Sequence, residues 1–312
     1  MRVLVTGAAG FVGRYLCERL AAEHEVLAVD RLPGDGIDHA LELPDDAGAR
    51  ALIERTRPEV IFHLAAFSSI VDSELKQEQC RAVNVDGTRS LLRALPQSSS
   101  DCRFIYVSSC AVYGRVAASA QPITERQPVS TTASQVYAQS KVEAENLVRE
   151  VGALRGVPWL IFRPFNHFGP RQQTNFVLPS VASQIVAFER GERAPILRVG
   201  NLNIRRDFLD VRDVVNAYAL GLAHLELHGI FNIATGVAYL LADLVAQLRS
   251  LAKVDFDVSV DPALYRGKDM DLLVGDASAF RTATGWRPQL DMATSLAALL
   301  DYFRSQVSGT KS

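Results

Sequence analysis

The sequence carries no surplus of charge. Its 33 Lys and Arg stand against 35 Asp and Glu, a formal charge of -2, so no chain-wide attraction draws it to nucleic acid or to an anionic membrane. A small molecule is the partner this balance leaves. Cysteine is sparse: Cys17, Cys80, Cys102 and Cys110 lie far apart with no Cys-x-x-Cys pair, and no His/Cys cluster has the spacing of a zinc site, so no metal is expected. Reduced thiols in a cytoplasmic protein fit that usage. No apolar run is long enough to span a bilayer. The apolar start, Met1 to Val12, lacks a basic leader, contains glycine turns and runs into an amphipathic helix, so it reads as a first strand and not as a secretion signal. Internal repeats, low-complexity segments and long linkers are missing too, which leaves compact folded domains.

What is present is enough apolar material for them. With 312 residues and 48% hydrophobic content, the chain can fill the core of one large α/β domain and of a smaller one. Short β-branched runs alternate with helical periodicity in the first half, the pattern of parallel strands joined by covering helices. Strands are predicted at Val3 to Thr6, Glu25 to Val29, Val60 to Leu64, Phe104 to Ser108 and Trp159 to Arg163, with helices at Arg14 to Ala22, Asn84 to Leu95 and Gln135 to Val151. That order describes a Rossmann-type doubly wound parallel sheet, which places ligands at the carboxyl ends of its strands. In the second half, Pro164 to Gly169 and Gly200 to Asp207 read as loops. Helices follow near Val177 to Glu189, Val211 to Leu222, Ala242 to Leu251 and Met292 to Phe303. The expected division is a dinucleotide-binding domain of residues 1–165 plus approximately 208–235, interleaved with a smaller, C-terminal substrate domain of residues 166–207 and 236–312.

Directly after the first strand comes Thr6-Gly7-Ala8-Ala9-Gly10-Phe11-Val12-Gly13. Glycines so placed permit a tight turn and a close approach to a pyrophosphate at a helix N-terminus. A plain βα turn also needs glycines, but the position between strand and amphipathic helix points to a nucleotide. Asp30 ends the second strand, where a carboxylate can accept from the adenosine ribose hydroxyls and repel a 2′-phosphate, so NAD(H) is favoured. The adjacent Arg31 can pair with that phosphate and admit NADP(H), or simply be a solvated arginine. His63-Leu64-Ala65-Ala66 closes another strand with small residues that let backbone approach a cofactor; His63 by itself reads as structural. Asn84, opening a predicted helix, is a cofactor-binding candidate and equally a helix cap.

Tyr137 and Lys141 are four residues apart on a predicted helix and share one face. A lysine cation beside a phenol stabilises the phenolate and lowers its pKa toward neutrality, and such a tyrosine can exchange a proton with a carbonyl or hydroxyl while a nicotinamide moves hydride. Tyr-x-x-x-Lys is common on ordinary surface helices. Ser109, at the carboxyl end of a strand, shifts the balance, because its hydroxyl reaches the same sheet edge and can hydrogen-bond the reacting oxygen.

Together the early glycine loop, the strand ending in Ser108-Ser109, and Tyr137 with Lys141 resemble the extended short-chain dehydrogenase/reductase family that acts on nucleotide sugars, over essentially the whole chain. The resemblance implies the catalytic triad roles for Ser109, Tyr137 and Lys141. Dehydratases of the family follow the triad Ser/Thr with an acid pair; here Cys110 and Ala111 stand there and cannot serve as acid and base. Reduction of a keto sugar, or epimerisation through one, remains. Arg163-Pro164-Phe165-Asn166-His167-Phe168-Gly169-Pro170 resembles the family loop in which the asparagine contacts the substrate diphosphate and the preceding residues line the nicotinamide, implying those parts for Asn166 and Pro164. Arg206, before Asp207-Phe208, and Arg266, before Asp269, resemble the diphosphate-binding arginine motifs. Asn201, in Gly200-Asn201-Leu202, looks like a segment of GDP-mannose dehydratases, and Asn175 with Val177 would begin a helix bordering the nucleotide.

These segments look closest to the GDP-6-deoxy-D-mannose reductases. That resemblance implies nicotinamide-dependent reduction of the C4 keto group of GDP-4-dehydro-6-deoxy-D-mannose to GDP-D-rhamnose, with a GDP sugar as partner. A 4-epimerase, or a 4-keto reductase of another GDP, dTDP or UDP sugar, uses the same triad. A non-catalytic NAD(P)-binding sensor is the alternative of another class, against which the complete triad argues. The helices Asn84 to Leu95 and Gln135 to Val151 resemble those that pair family members as homodimers; their apolar stripes can equally be intramolecular core.

Overall fold

The structure is a computed structural model that describes residues 1–96, 102–130, 135–264 and 270–306. The chain begins β1 (Arg2–Thr6), α1 (Phe11–Leu20), β2 (Glu25–Asp30), β3 (His39–Ala40), α2 (Asp46–Thr56) and β4 (Val60–His63). Then come α3 (Ile70–Leu75), α4 (Gln77–Arg81), a π-helical segment (Ala82–Asp86), α5 (Gly87–Ala94), β5 (Arg103–Val107), α6 (Val136–Arg155) and β6 (Trp159–Pro164). The second half holds β7 (Asn166–Phe168), α7 (Val177–Glu189), β8 (Ile196–Val199), β9 (Arg205–Arg206), β10 (Phe208–Asp210), α8 (Val211–Ala223) and β11 (Gly229–Ile233). It closes with β12 (Tyr239–Leu240), α9 (Leu241–Leu251), β13 (Asp257–Val260), β14 (Leu272–Leu273), α10 (Ser278–Thr284) and α11 (Met292–Ser305).

Seven strands form one sheet in the order β11-β6-β5-β4-β1-β2-β3, and every neighbouring pair is parallel. This is a doubly wound Rossmann-type sheet. The chain moves outward from β1 to one edge, returns, and continues from β4 toward the other, so the order reverses between β1 and β4 and opens a crevice at their carboxyl ends. Burial explains the composition: β4 is buried along its whole length, with Val60, Ile61 and Phe62 at 1% exposure or less. Strands covered on both faces read as continuous apolar runs. Two apolar clusters fill the two faces of the sheet, and a third, from Phe168 to Leu300, unites α7, α9 and α11.

Several boundaries differ from the predicted ones. α1 begins at Phe11, not Arg14, because Gly10 itself is the N-cap and the glycine loop feeds straight into the helix. Asn84 neither opens nor caps a helix: it lies in the π-helical segment within continuous helical backbone from Gln77 to Ala94. The two predicted loops each carry a short strand, Asn166–Phe168 pairing with Phe208–Asp210, and Arg205–Arg206 pairing with Tyr239–Leu240 and Leu272–Leu273. The seventh strand, Gly229–Ile233, and helix α2 were not anticipated as elements.

Candidate active site

One large cleft, about 2020 Å³, runs along the carboxyl ends of the sheet strands and under α7. Its first wall is backbone. Gly7 has φ of 74°, and a Cβ there would lie 2.7 Å from the Ala65 nitrogen; a Cβ on Gly13 would lie 2.0 Å from the Gly7 carbonyl oxygen. The loop after β4 and the start of α1 therefore each pack against Gly7 at a spacing no side chain permits. Gly10 gives α1 no side-chain cap, so the first N–H groups of that helix, at its positive end, are left for a ligand or solvent. Gly7, Gly10, Phe11, Val12 and Gly13 line this wall with Leu64, Ala65 and Ala66 beside them. A cradle of this form fits the pyrophosphate of a dinucleotide.

Asp30 and Arg31 stand at the rim of the same wall. The Asp30 carboxylate accepts the Ala9 N–H on Oδ2 (2.9 Å) and the Arg31 N–H on Oδ1 (2.8 Å), so it braces the glycine loop. Arg31 is exposed, and Arg14, not anticipated from the sequence, lines the rim with Nε donating to the Ala9 carbonyl (2.9 Å). Behind this wall is a polar relay whose hydrogens can be assigned. Thr88 Oγ1 donates to the Asn84 carbonyl (2.7 Å), so at its 3.0 Å contact it must accept from His63 Nε2, and His63 Nδ1 then accepts from Thr6 Oγ1 (2.7 Å). His63 is buried, and burial holds its pKa down at about 3, a neutral ring. Asn84 stands behind the cleft, not in its lining. Its Oδ1 accepts the Phe67 N–H (2.7 Å), and its Nδ2 donates to the Phe67 carbonyl (3.2 Å) and to Ser140 Oγ (2.9 Å). It pins the loop after β4 to α6, which is why a buried asparagine occupies a helix interior.

The opposite wall is made of side chains. Ser109, Tyr137 and Lys141 all line the cleft. Ser109 follows β5 and caps a short 3-10 turn, its Oγ accepting the Ala111 N–H (3.1 Å), with the Tyr137 phenol close by. Lys141 Nζ donates to the Val107 carbonyl (2.9 Å) and lies 4.8 Å from the centre of the Tyr106 ring. Burial pushes the Tyr137 phenol up to about 12, opposed chiefly by Ser109. Burial likewise pushes the Lys141 ammonium down to about 8, opposed chiefly by Glu145. The expected lowering of the Tyr137 pKa by its lysine is thus reversed: Val107 and the Tyr106 face engage the ammonium, and the phenol is desolvated beside a serine. Next to Ser109, Cys110 and Ala111 also line the cleft, and burial pushes the Cys110 thiol up to about 12.

Farther along lie Pro164, Asn166, Asn175, Val177, Asn201 and Arg206. Asn166 Nδ2 donates to the Asp207 carbonyl (3.3 Å), and an Arg206 guanidinium nitrogen donates to the Arg205 carbonyl (2.9 Å). Phe176 is the N-cap of α7, which therefore begins at Val177. Arg266 and Asp269 lie outside the described residues. Two features escaped the sequence reading. His167 stacks on Phe11 with centroids 6.2 Å apart and planes 7° from parallel, joining β7 to the start of α1. Glu145 forms a buried ion pair with Arg163 (2.6 Å). A helical step of four beyond Lys141 was the available signal for Glu145, whereas nothing local announces a ring stacked across the cleft.

Among the described residues no group of His, Cys, Asp and Glu could hold a metal ion, and no helix is long and apolar enough to cross a membrane. The sequence profile of the NAD dependent epimerase/dehydratase family matches residues 3–234. The GDP-6-deoxy-D-mannose reductase of Pseudomonas aeruginosa is 35% identical over 308 residues, covering 98% of each chain. Among solved structures, RMD from Pseudomonas aeruginosa complexed with NADPH superposes with a TM-score of 0.87 at 33% identity, covering 98% of this chain and 99% of that one. The UDP-glucose 4-epimerase of Thermus thermophilus in complex with NAD superposes at 0.86 with 28% identity, covering 98% and 100%. A glycine cradle at the head of a Rossmann-type sheet, facing serine, tyrosine and lysine across one cleft, accords with these similarities, and the chain belongs to the NAD dependent epimerase/dehydratase family as an NAD(P)-dependent oxidoreductase.

Proposed function

We propose that the protein reduces the C4 keto group of GDP-4-dehydro-6-deoxy-D-mannose to give GDP-D-rhamnose, with Ser109, Tyr137 and Lys141 as its catalytic residues. The observation that carries this reading is the convergence of Ser109, Tyr137 and Lys141 on the same cleft that the glycine loop lines. Tyr137, pushed up to about 12 by burial, keeps its proton and can donate it to a carbonyl oxygen. Cys110 and Ala111 beside it have no carboxylate to remove water from a sugar, so dehydration lacks its acid and base. The 35% identity to a GDP-6-deoxy-D-mannose reductase supports the substrate.

Gly7, Gly10 and Gly13 at one end and Pro164, Tyr137 and Lys141 at the other would hold NAD(P)H, which when bound would supply the hydride for C4. Ser109 donates a hydrogen bond to the carbonyl oxygen and raises its electrophilicity. Tyr137 gives its proton to the same oxygen as the C–H bond forms, so the ketone becomes a secondary alcohol. Lys141 stabilises the phenolate left behind, an electrostatic effect that is largest in a dry site. Arg206 and Asn166 hold the diphosphate, with Asn175, Val177 and Asn201 along the nucleoside. Asp30 suits a free ribose and favours NAD(H), while Arg31 and Arg14 at the rim suit a 2′-phosphate and admit NADP(H). The enzyme works as a cytoplasmic homodimer paired through α5 and α6, on which Leu154 is 78% exposed.

The test is oxidation of NADH and of NADPH by the purified protein with enzymatically generated GDP-4-dehydro-6-deoxy-D-mannose, the product being identified by NMR. Stoichiometric oxidation and a single GDP-D-rhamnose product are expected. Oxidation with the epimeric alcohol as product overturns the stereochemical part of the reading. No oxidation, together with tightly retained oxidised NAD, points to a 4-epimerase, whose fold the chain shares at a TM-score of 0.86.

A further inference from the structure

Glu145 lies on α6 one helical step beyond Lys141 and two beyond Tyr137, and it is 2% exposed. Its Oε1 accepts Ser108 Oγ (2.5 Å) and Arg163 Nε (2.9 Å), and its Oε2 accepts a second Arg163 nitrogen (2.6 Å). Both side chains of the ion pair are nearly sealed from solvent, at 4% and 3% exposure. Ser108 immediately precedes Ser109, and Arg163 immediately precedes Pro164. One carboxylate therefore ties the ends of β5 and β6 to the helix that carries the tyrosine and the lysine. Arg163 also lies 4.9 Å over the Tyr113 ring, whose hydroxyl donates to Asn232 Oδ1 (2.6 Å), and the Asn232 amide donates to the carbonyls of Ile123 (2.9 Å) and Asp276 (3.2 Å). A buried ion pair is a poor device for stability alone, because desolvation offsets most of the attraction. Its placement, behind all three reaction side chains and outside the cleft lining, is the informative fact.

We infer that Glu145, clamped by Arg163 and Ser108, is a positioning residue that aligns the ends of β5 and β6 with α6 and so holds the buried Lys141 ammonium on the Val107 carbonyl. The inference rests on the catalytic role proposed for Lys141. The groups that face Lys141 from other elements are Cys80 of α4, Tyr106 of β5 and His63 of β4. Glu145 is the one carboxylate beside them among the described residues. His63 is a neutral ring and Arg163 is the cation bound to that same carboxylate, so neither replaces it.

The test uses Glu145→Gln in the full chain, which contains five lysines, few enough for 13C-ε-lysine NMR to resolve Lys141. In the cofactor-free protein the Lys141 midpoint should fall by about one pH unit or more. The alkaline limb of kcat should follow it downward, with kcat reduced about tenfold and KM for the keto sugar nearly unchanged. An unmoved midpoint and limb, with only a lower melting temperature, would reduce Glu145 to a structural clamp and overturn the inference. Where the single variant does not fold, Glu145→Gln with Arg163→Gln replaces the ion pair by two amides; its midpoint should also fall, and an unchanged one overturns the inference equally. The titration needs no substrate, so a failed sugar assignment leaves it readable.

Discussion

The two ends of the cleft are built from different material. The glycine end is backbone brought against backbone: Gly7, Gly13 and Ala65 meet at distances that exclude a Cβ, and Asp30 braces the loop through main-chain N–H groups. The reaction end is made of titratable side chains sealed from water: Tyr137 is 8% exposed, Lys141 3% and Glu145 2%. Backbone shape is insensitive to pH and intolerant of any added atom. Buried ionisable groups tolerate small changes of shape but answer to every nearby charge. On the proposed reading, a dinucleotide cradle and a proton-transfer site thus fail in different ways, and that difference can be measured.

Tyr137→Phe gives the sharpest break. It removes the donated proton and little else, so kcat should fall by about 10²- to 10⁴-fold while cofactor affinity, followed by fluorescence titration, stays within about twofold. Unchanged turnover would show that the reaction end does not run on this phenol. Gly13→Ala is the converse. Its methyl group would meet the Gly7 carbonyl oxygen at 2.0 Å, so the loop must shift; we expect NAD(P)H binding to weaken by tenfold or more, at a stability cost of about 1–3 kcal/mol, with the Lys141 titration unmoved. Normal cofactor affinity in that variant would break the comparison.

The smallest effect concerns pH and stability. Lys141 is held down at about 8 in the fold, below the usual lysine range near 10.4. The unfolded chain therefore binds more protons between those values, and the penalty for burying the ammonium is full below pH 8 and relieved as pH rises toward 10. Chemical denaturation of the native chain against Lys141→Met should show the native chain gaining on the order of 2–3 kcal/mol relative to the variant across that window. Equal slopes would mean that Lys141 is not desolvated.

Legibility in the sequence followed the same division. The glycine loop, Asp30, the five strands of the first half and the spacing of Tyr137 and Lys141 are local patterns, readable because period-two and period-3.6 repeats and turn residues act over a few positions. Asn84 was misread because a π-helical segment is set by what its side chain pins, here Phe67 and Ser140, and not by the residues that flank it. Arg205–Arg206 and Asn166–Phe168 looked like loops because two- and three-residue strands carry no period of their own and exist only through distant partners.

By itself, then, the sequence determined the alternation of strands and helices, the place of the glycine loop at the head of the sheet, and the spacing of the side chains proposed to move a proton. Only the tertiary structure decided their chemical state. It turned the Tyr137 phenol upward instead of downward, gave the Lys141 ammonium to the Val107 carbonyl, and set Glu145 with Arg163 behind both. The physical reason is that a pKa and a hydrogen-bond partner depend on desolvation and on charges brought from elsewhere in the chain, quantities that do not exist until the sheet has closed around them.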